Sequence, residues 1–197
     1  MDATARAWRV KERARLKQAR KDLSSVDRAF LTEAITRNLD TVFEPLSCGV
    51  LGIYWPIQGE FDLRPWAERT STRKRFRLAL PVVVKEQAPL EYWQWQPGDP
   101  MTRGFWGIMV PERREAVIPD VVIAPLVGFA GLYRLGHGGG YFDRTLAVLQ
   151  PKPHVIGMGV EAGRLQGYVP QPHDIPMDVI VTEAGVYRDP EAAAKTA

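Results

Sequence analysis

Two apolar patterns alternate along this chain. In one, apolar residues recur three or four positions apart: Phe30, Leu31, Ala34, Ile35 and Leu39 keep the helical period, as do Phe142, Leu146 and Leu149. The other is the short, mostly apolar run that reads as a strand: Cys48 to Tyr54, Phe76 to Val84, Leu90 to Trp95, Pro119 to Ala124, His154 to Val160 and Val179 to Thr182. The first and fourth of these are apolar enough to be buried on both faces, as parallel strands are. Ser24 and Ser25 followed by Asp27 mark an N-cap for the helix that runs through Leu39, and Pro65 opens a short helix to Arg69. Strands alternating with helical segments predict an α/β fold: a three-layer α/β/α single domain with a mostly parallel, Rossmann-like sheet over residues 1–190. The alanine- and charge-rich tail, 191–197, is expected to fray.

Charge changes this picture at the N-terminus. Residues 4–23 hold Arg6, Arg9, Lys11, Arg13, Arg15, Lys17, Arg20 and Lys21 without proline or glycine, which predicts a basic helix packing onto the domain. Most of these charges read as a solvated face, yet residues 9, 13, 17 and 20 lie along one side, within reach of a polyphosphate. Arg73 to Arg77 is a second basic cluster, read as the solvated end of a helix-to-strand loop or as a contact for an anionic ligand. Elsewhere the composition is ordinary, with 45% apolar residues, 25% charged and a net charge of +3, so nothing global demands nucleic acid or a membrane. A single cysteine, Cys48, excludes an internal disulfide, and neither an 18-residue apolar run nor a secretory signal is present. A cytoplasmic monomer or small homo-oligomer is the expectation.

The densest chemistry lies from Arg134 to Arg144, Arg-Leu-Gly-His-Gly-Gly-Gly-Tyr-Phe-Asp-Arg. Glycines at 136, 138, 139 and 140 allow positive φ and close backbone approach, making a cradle of N–H donors for an anion. A helix opening at Tyr141 adds free N–H groups and a positive dipole end. Arg134 and Arg144 are candidate bidentate phosphate clamps, and Asp143 is acceptor-only, suited to a hard cation such as Mg²⁺. The P-loop is excluded, because no lysine lies between Lys85 and Lys152. The dinucleotide fingerprint fits poorly: Tyr141 stands where a third glycine belongs, and the nearest apolar run ends well before Gly136, although Glu161 imitates the acidic ribose ligand. A surface glycine turn capped by charges is the plain alternative. At the end of the first strand, Trp55 to Arg64 brings aromatic and polar residues to the carboxyl edge, where open α/β sheets bind ligands; Glu60 there is either a ligand contact or a turn-stabilising acid.

Arg134 to Arg144, with Pro125 upstream, resembles the signature of the 5-formyltetrahydrofolate cyclo-ligases, and weaker similarity extends over nearly the whole chain. Trp55-Pro56 to Asp62 is similar to that family's Tyr-x-Pro-x-x-Gly-Glu-x-Asp segment, and Gly104 to Pro111 to its Phe/Trp-Gly-Ile-x-Glu-Pro segment. The resemblance implies ATP contacts by Arg9, Arg13, Arg134 and Leu135, by Gly136, His137, Gly138, Gly139 and Gly140, and by Tyr141 and Phe142. A second register, Lys11 with Arg15, keeps the family's residue types but not their spacing. Folate contacts are implied for Trp55, Glu60, Trp106, Gly138 and Tyr141, and Mg²⁺ ligation for Asp143 and Asp174. His173 reads as a lining residue or, less readily, a base. Val110 replaces a family glutamate, Ala130 an aspartate, and the stretch between Phe129 and Arg134 is one residue short.

The reaction implied is ATP-driven closure of 5-formyltetrahydrofolate to 5,10-methenyltetrahydrofolate with release of ADP and phosphate. Phosphorylation of the formyl oxygen makes it a leaving group, and N10 attacks the activated carbon. No side-chain nucleophile is needed; Arg134 and Arg144 support the phosphoryl transfer. Two alternatives keep the same residues: an ATP-binding enzyme for another small acid or amide, and a non-catalytic folate- or nucleotide-binding protein.

Overall fold

The computed structural model describes residues 3–189; the tail at 191–197 lies outside the described residues. Helix α1 (Ala3–Lys21) leads into α2 (Ser25–Phe43), where the Oγ of Ser24 accepts the Asp27 N–H at 3.1 Å as the capping pattern predicts. α2 runs past the expected end at Leu39 because Val42 and Phe43 continue its buried stripe. The chain then forms β1 (Val50–Gly52), α3 (Arg64–Lys74), β2 (Arg77–Val82), β3 (Glu91–Trp95) and a hairpin of β4 (Met101–Arg103) with β5 (Met109–Pro111). After β6 (Ala116–Val117) and β7 (Val121–Pro125) comes a second hairpin, β8 (Gly128–Ala130) with β9 (Tyr133–Leu135). Helix α4 (Tyr141–Val148) and strands β10 (His154–Met158), β11 (Val179–Thr182) and β12 (Gly185–Arg188) complete it.

Within the described residues eight strands form one sheet, ordered β12-β11-β10-β7-β1-β2-β3-β6. β11, β10, β7, β1 and β2 run parallel, while β12 and the β3–β6 side are antiparallel edges. Side chains alternate across this sheet with a period of two. Leu51, Val121 and Ile123 pack beneath α2 and α3, whose Leu39, Phe43 and Trp66 are buried with them. Val50, Val122 and Ala124 point the other way and pack beneath Leu146 of α4. Helices cover both faces, as the three-layer expectation requires. The basic cluster at 73–77 closes α3, with Arg75 in the left-handed C-cap position and Lys74 donating at 2.5 Å to the carbonyl of Glu44, the C-cap of α2. Those cations serve a helix end, where the dipole favours them.

One topological detail positions the site. β1 and β7 are parallel neighbours, yet the chain leaves β1 toward α3 on one face and leaves β7 toward α4 on the other. Connections that diverge this way open a crevice at the carboxyl ends of the two strands, the ligand position of open α/β sheets. α1 lies across that edge and packs Leu16 against Val127, Leu135 and Leu165.

Candidate active site

The glycine loop enters from the β8–β9 hairpin, which the apolar pattern of the sequence does not disclose because each strand has three residues. Ala130 pairs with Tyr133, leaving only Gly131 and Leu132 in the turn, and Gly131 takes φ 54°, the left-handed value such short loops assign to glycine. The stretch that is one residue short relative to the family pattern is therefore closed as a tight hairpin. It delivers Arg134 into the interior, 6% exposed, with Nη2 donating to Asp143 Oδ2 at 2.8 Å and the guanidinium over the Phe142 ring. A Cβ on Gly136 would lie 2.4 Å from Arg134 Nη1, so a side chain there would expel that guanidinium. Gly138 and Gly140 have φ 110° and 67°, and α4 begins directly after them without a side-chain cap, leaving its first-turn N–H groups for a ligand or solvent. Arg144 folds back to donate to the Gly139 carbonyl at 2.5 Å and covers the Tyr141 ring.

α1 lays its basic stripe over this loop. Arg13 Nε donates to the Gly136 carbonyl at 2.8 Å, and Arg20 Nη2 lies 3.1 Å from His137 Nε2. Lys11 and Arg15 face outward, Arg15 pairing with Glu12 on the helix's own surface, so the geometry brings in residues 9 and 13 and not the alternative register. Burial lowers the pKa of Arg13, Lys17 and Arg20, with neighbouring cations adding to it. Such a stripe of partly buried cations is suited to receive an anion.

Glu60 lies at the other wall of the crevice. Its Oε2 accepts the Ile57 N–H at 2.9 Å, and Arg28 holds the same turn by donating to the Gly59 carbonyl at 2.5 Å. Glu60 is thus a turn-stabilising acid through one oxygen only. Oε1 is buried and has no hydrogen-bond partner; His137 Nδ1 is the near polar atom, at 3.5 Å. Burial pushes the Glu60 carboxyl up to about 7 against the pull of the Ile57 N–H, Arg20 and Lys17. His137 goes the other way: burial, then Lys17, Arg20, Arg134 and Arg13, push it down to about 3. The ring is neutral at physiological pH, so its closeness to Glu60 is not an ion pair. Because an arginine can only donate, Nε2 is the accepting nitrogen and the proton sits on Nδ1, toward Glu60.

The two predicted metal aspartates come together, for the Ile175 N–H beside Asp174 points to Asp143 Oδ1 at 3.4 Å. Their surroundings differ. Asp174 is enclosed by a bidentate contact from Arg9, by the Tyr168 hydroxyl at 3.0 Å and by the Gln171 N–H at 2.7 Å. Those donors overcome burial and hold its pKa below the usual carboxylate range. Arg9, expected at a phosphate, pairs here with the aspartate expected at the metal. Among the described residues, Asp143 has Arg134 as its one strong partner. His173 is exposed, 3.8 Å from Asp174. Trp106 meets Tyr141 edge-on at 5.5 Å and is 64% exposed, held in a left-handed conformation (φ 55°) that is strained for so bulky a residue. Trp55 faces a separate groove, packed against Trp95 and stacked 4.0 Å beneath Arg64.

Residues 5–183 match the model of the 5-formyltetrahydrofolate cyclo-ligase family. The chain belongs to that family. It is 24% identical to the 5-formyltetrahydrofolate cyclo-ligase of Haemophilus influenzae over 86% of this chain and 95% of the relative. It is 26% identical to the enzyme of that name in Escherichia coli over 87% and 98% respectively. The solved 5,10-methenyltetrahydrofolate synthetase of Aquifex aeolicus superposes with a TM-score of 0.77 at 30% identity, covering 91% of this chain and 92% of its own. The synthetase of Mycoplasma pneumoniae shares the fold, with a TM-score of 0.74 at 22% identity and 89% and 98% coverage.

The glycine loop, Glu60 and the basic stripe on α1, each singled out in the sequence, meet at this crevice. Tyr168, which joins Asp174 to the Arg134 carbonyl, carries no signal in the sequence: it stands alone in an irregular segment. Among the described residues, five buried side-chain nitrogen or oxygen atoms lack a hydrogen-bond partner, and four belong to Arg20, Glu60, Arg134 and Arg144 around this crevice. Native proteins rarely leave such atoms unpaired, so their clustering here fits a polar ligand with both donors and acceptors.

Proposed function

We propose that this protein cyclises 5-formyltetrahydrofolate to 5,10-methenyltetrahydrofolate in an ATP- and Mg²⁺-dependent reaction releasing ADP and phosphate. One observation carries this reading: a cationic glycine cradle and a buried, half-satisfied carboxylate meet at the same crevice between β1 and β7. The cradle suits the phosphates and the carboxylate suits the N–H edge of a pterin, so two substrates fit side by side. The names carried by the Haemophilus influenzae and Aquifex aeolicus relatives support that pairing.

Each residue then has a task. The N–H groups of Gly138 to Tyr141 and the start of α4 receive phosphate oxygens, with Arg13, Lys17 and Arg134 neutralising their charge. Arg144 turns from the Gly139 carbonyl to a phosphate, an exchange of one acceptor for another. Asp143 would be the carboxylate that holds Mg²⁺, an acceptor-only oxygen ligand of the kind that hard cation takes, and the ion would supply neutralisation of phosphate charge. Asp174 enters as a support, because its oxygens already accept from Arg9, Tyr168 and Gln171. Glu60 Oε1 takes a pterin N–H, and Trp106 and Tyr141 offer ring faces; Trp55, packed against Trp95 and Arg64, lies off this crevice. When bound, MgATP supplies the phosphoryl group that makes the formyl oxygen a leaving group. The chain supplies position and charge neutralisation, which is what phosphoryl transfer asks of a protein.

The test is the rise of methenyltetrahydrofolate absorbance on mixing protein, 5-formyltetrahydrofolate, Mg²⁺ and ATP. A rise that needs ATP and falls by about two orders of magnitude in Asp143→Ala is expected, in line with losing one preorganised electrostatic partner. Folded protein that binds ATP and yields no methenyl product would overturn the reading.

A further inference from the structure

We infer that His137 is a positioning residue for the reduced folate: its ring, anchored at Nε2 by Arg20, stands with Nδ1 against the open oxygen of Glu60 and sets the direction in which that carboxyl group faces the crevice. This deepens the proposed function and rests on it for the identity of the ligand. The geometry comes from three separate elements. α1 supplies Arg20, whose Nη2 lies 3.1 Å from His137 Nε2. The glycine loop supplies His137, between Gly136 and Gly138, where main-chain freedom lets a ring turn inward. The turn after β1 supplies Glu60, 7% exposed, with Oε1 3.5 Å from His137 Nδ1.

A carboxyl group has two oxygens and two ways to rotate. Oε2 is held by the Ile57 N–H at 2.9 Å, so the direction of Oε1 depends on what approaches it. His137 makes that approach from the phosphate side, leaving the opposite lone pair of Oε1 for a ligand N–H. The ring also joins the two half-sites. It stands inside the phosphate cradle with Nδ1 3.5 Å from Glu60 Oε1, so its placement couples occupation of the one to the orientation of the other. The charged and titratable groups facing this pair are Lys17 and Arg20 of α1, Tyr54 just after β1, Arg13 of α1 and Arg134 of β9. All but Tyr54 are cations, and they favour a neutral ring over an imidazolium.

Two substitutions separate the ring nitrogens. The amide nitrogen of asparagine falls where Nδ1 stands, and the distal amide of glutamine where Nε2 stands. His137→Asn therefore keeps the donor toward Glu60 and gives up Arg20, whereas His137→Gln keeps Arg20 and gives up Glu60. Affinity for 5-formyltetrahydrofolate is measured without ATP, by quenching of tryptophan fluorescence, alongside turnover and the imidazole ¹⁵N shifts of the free protein. The expected result is a dissociation constant for His137→Asn within about threefold of wild type and one for His137→Gln raised about tenfold, the size of one polar contact removed from beside a buried group. The ¹⁵N shifts should report a neutral ring protonated at Nδ1. Equal affinity in the two variants, or a ring protonated at Nε2, overturns the inference. If wild type binds the folate without turning it over while the asparagine–glutamine difference persists, the cyclo-ligase reading fails and the role of His137 stands. If wild type does not bind it, both fall.

Discussion

Two buried carboxylates at one crevice behave in opposite ways. Asp174, beneath α1, accepts from Arg9, Tyr168 and Gln171, and its pKa is held below the ordinary range. Glu60, across the glycine loop, has one oxygen satisfied and one without a hydrogen-bond partner, and burial pushes it up to about 7. Both groups are buried, so burial alone does not separate them; the count of donors does. A fully paired carboxylate holds elements together, here α1 to the segment after β10. A half-paired one costs stability that only a ligand recovers.

The contrast breaks most violently at Asp174. Arg9 and Asp174 are 6% and 7% exposed, and Asp174→Ala would leave a buried guanidinium without its carboxylate. Urea unfolding should show a loss of about 3–5 kcal/mol, the usual result of removing one partner from a buried pair. A loss below about 1 kcal/mol would mean that the clasp does not hold α1. Glu60→Gln should do the reverse. Stability should change by less than about 1 kcal/mol, because the replaced group lacks a partner at one oxygen. Affinity for 5-formyltetrahydrofolate should drop by a factor of about 10–100, as for a lost hydrogen bond to a charged group. Calorimetric titration of the variant checks the second number.

The smallest effect is on pH dependence. Folding raises Glu60 from 4.5 to about 7 and lowers His137 from 6.5 to about 3. Between pH 4.5 and 6.5 the folded pair holds one proton, on Glu60, and the unfolded pair also holds one, on the histidine. The pair then contributes no slope. Above that window only the folded state keeps its proton, so stability falls as pH rises through 7; below it the unfolded state holds the extra proton, so stability falls toward pH 3. His137→Asn removes one half of this balance. Wild-type stability minus variant stability should rise with pH across the window by at most about 1.4 kcal/mol per unit. Parallel curves for the two proteins would show that His137 is not kept neutral by the fold.

Much of this is legible in the sequence. The parallel core strands stand out because a strand buried on both faces must be apolar throughout, and Val121 to Ala124 is. Ser24 is readable as a cap because a hydroxyl answers a local need, an unpaired N–H three residues on. The edge strands β6 and β12 and the β8–β9 hairpin escape notice for the complementary reason. Their two to four residues owe their conformation to a neighbouring strand, not to their own periodicity.

The site divides the same way. Arg134 to Arg144 announces itself because glycine and charge in one short run leave few physical uses. The partnership of Arg9 with Asp174 spans 165 residues of sequence, and nothing near either residue indicates it. Sequence alone determined the layers, the glycine cradle and the basic stripe of α1, since each follows from local spacing and the period of a helix or strand. Tertiary structure alone decided which carboxylate was satisfied and which was left open, because the number of donors around a buried oxygen depends on where distant segments meet.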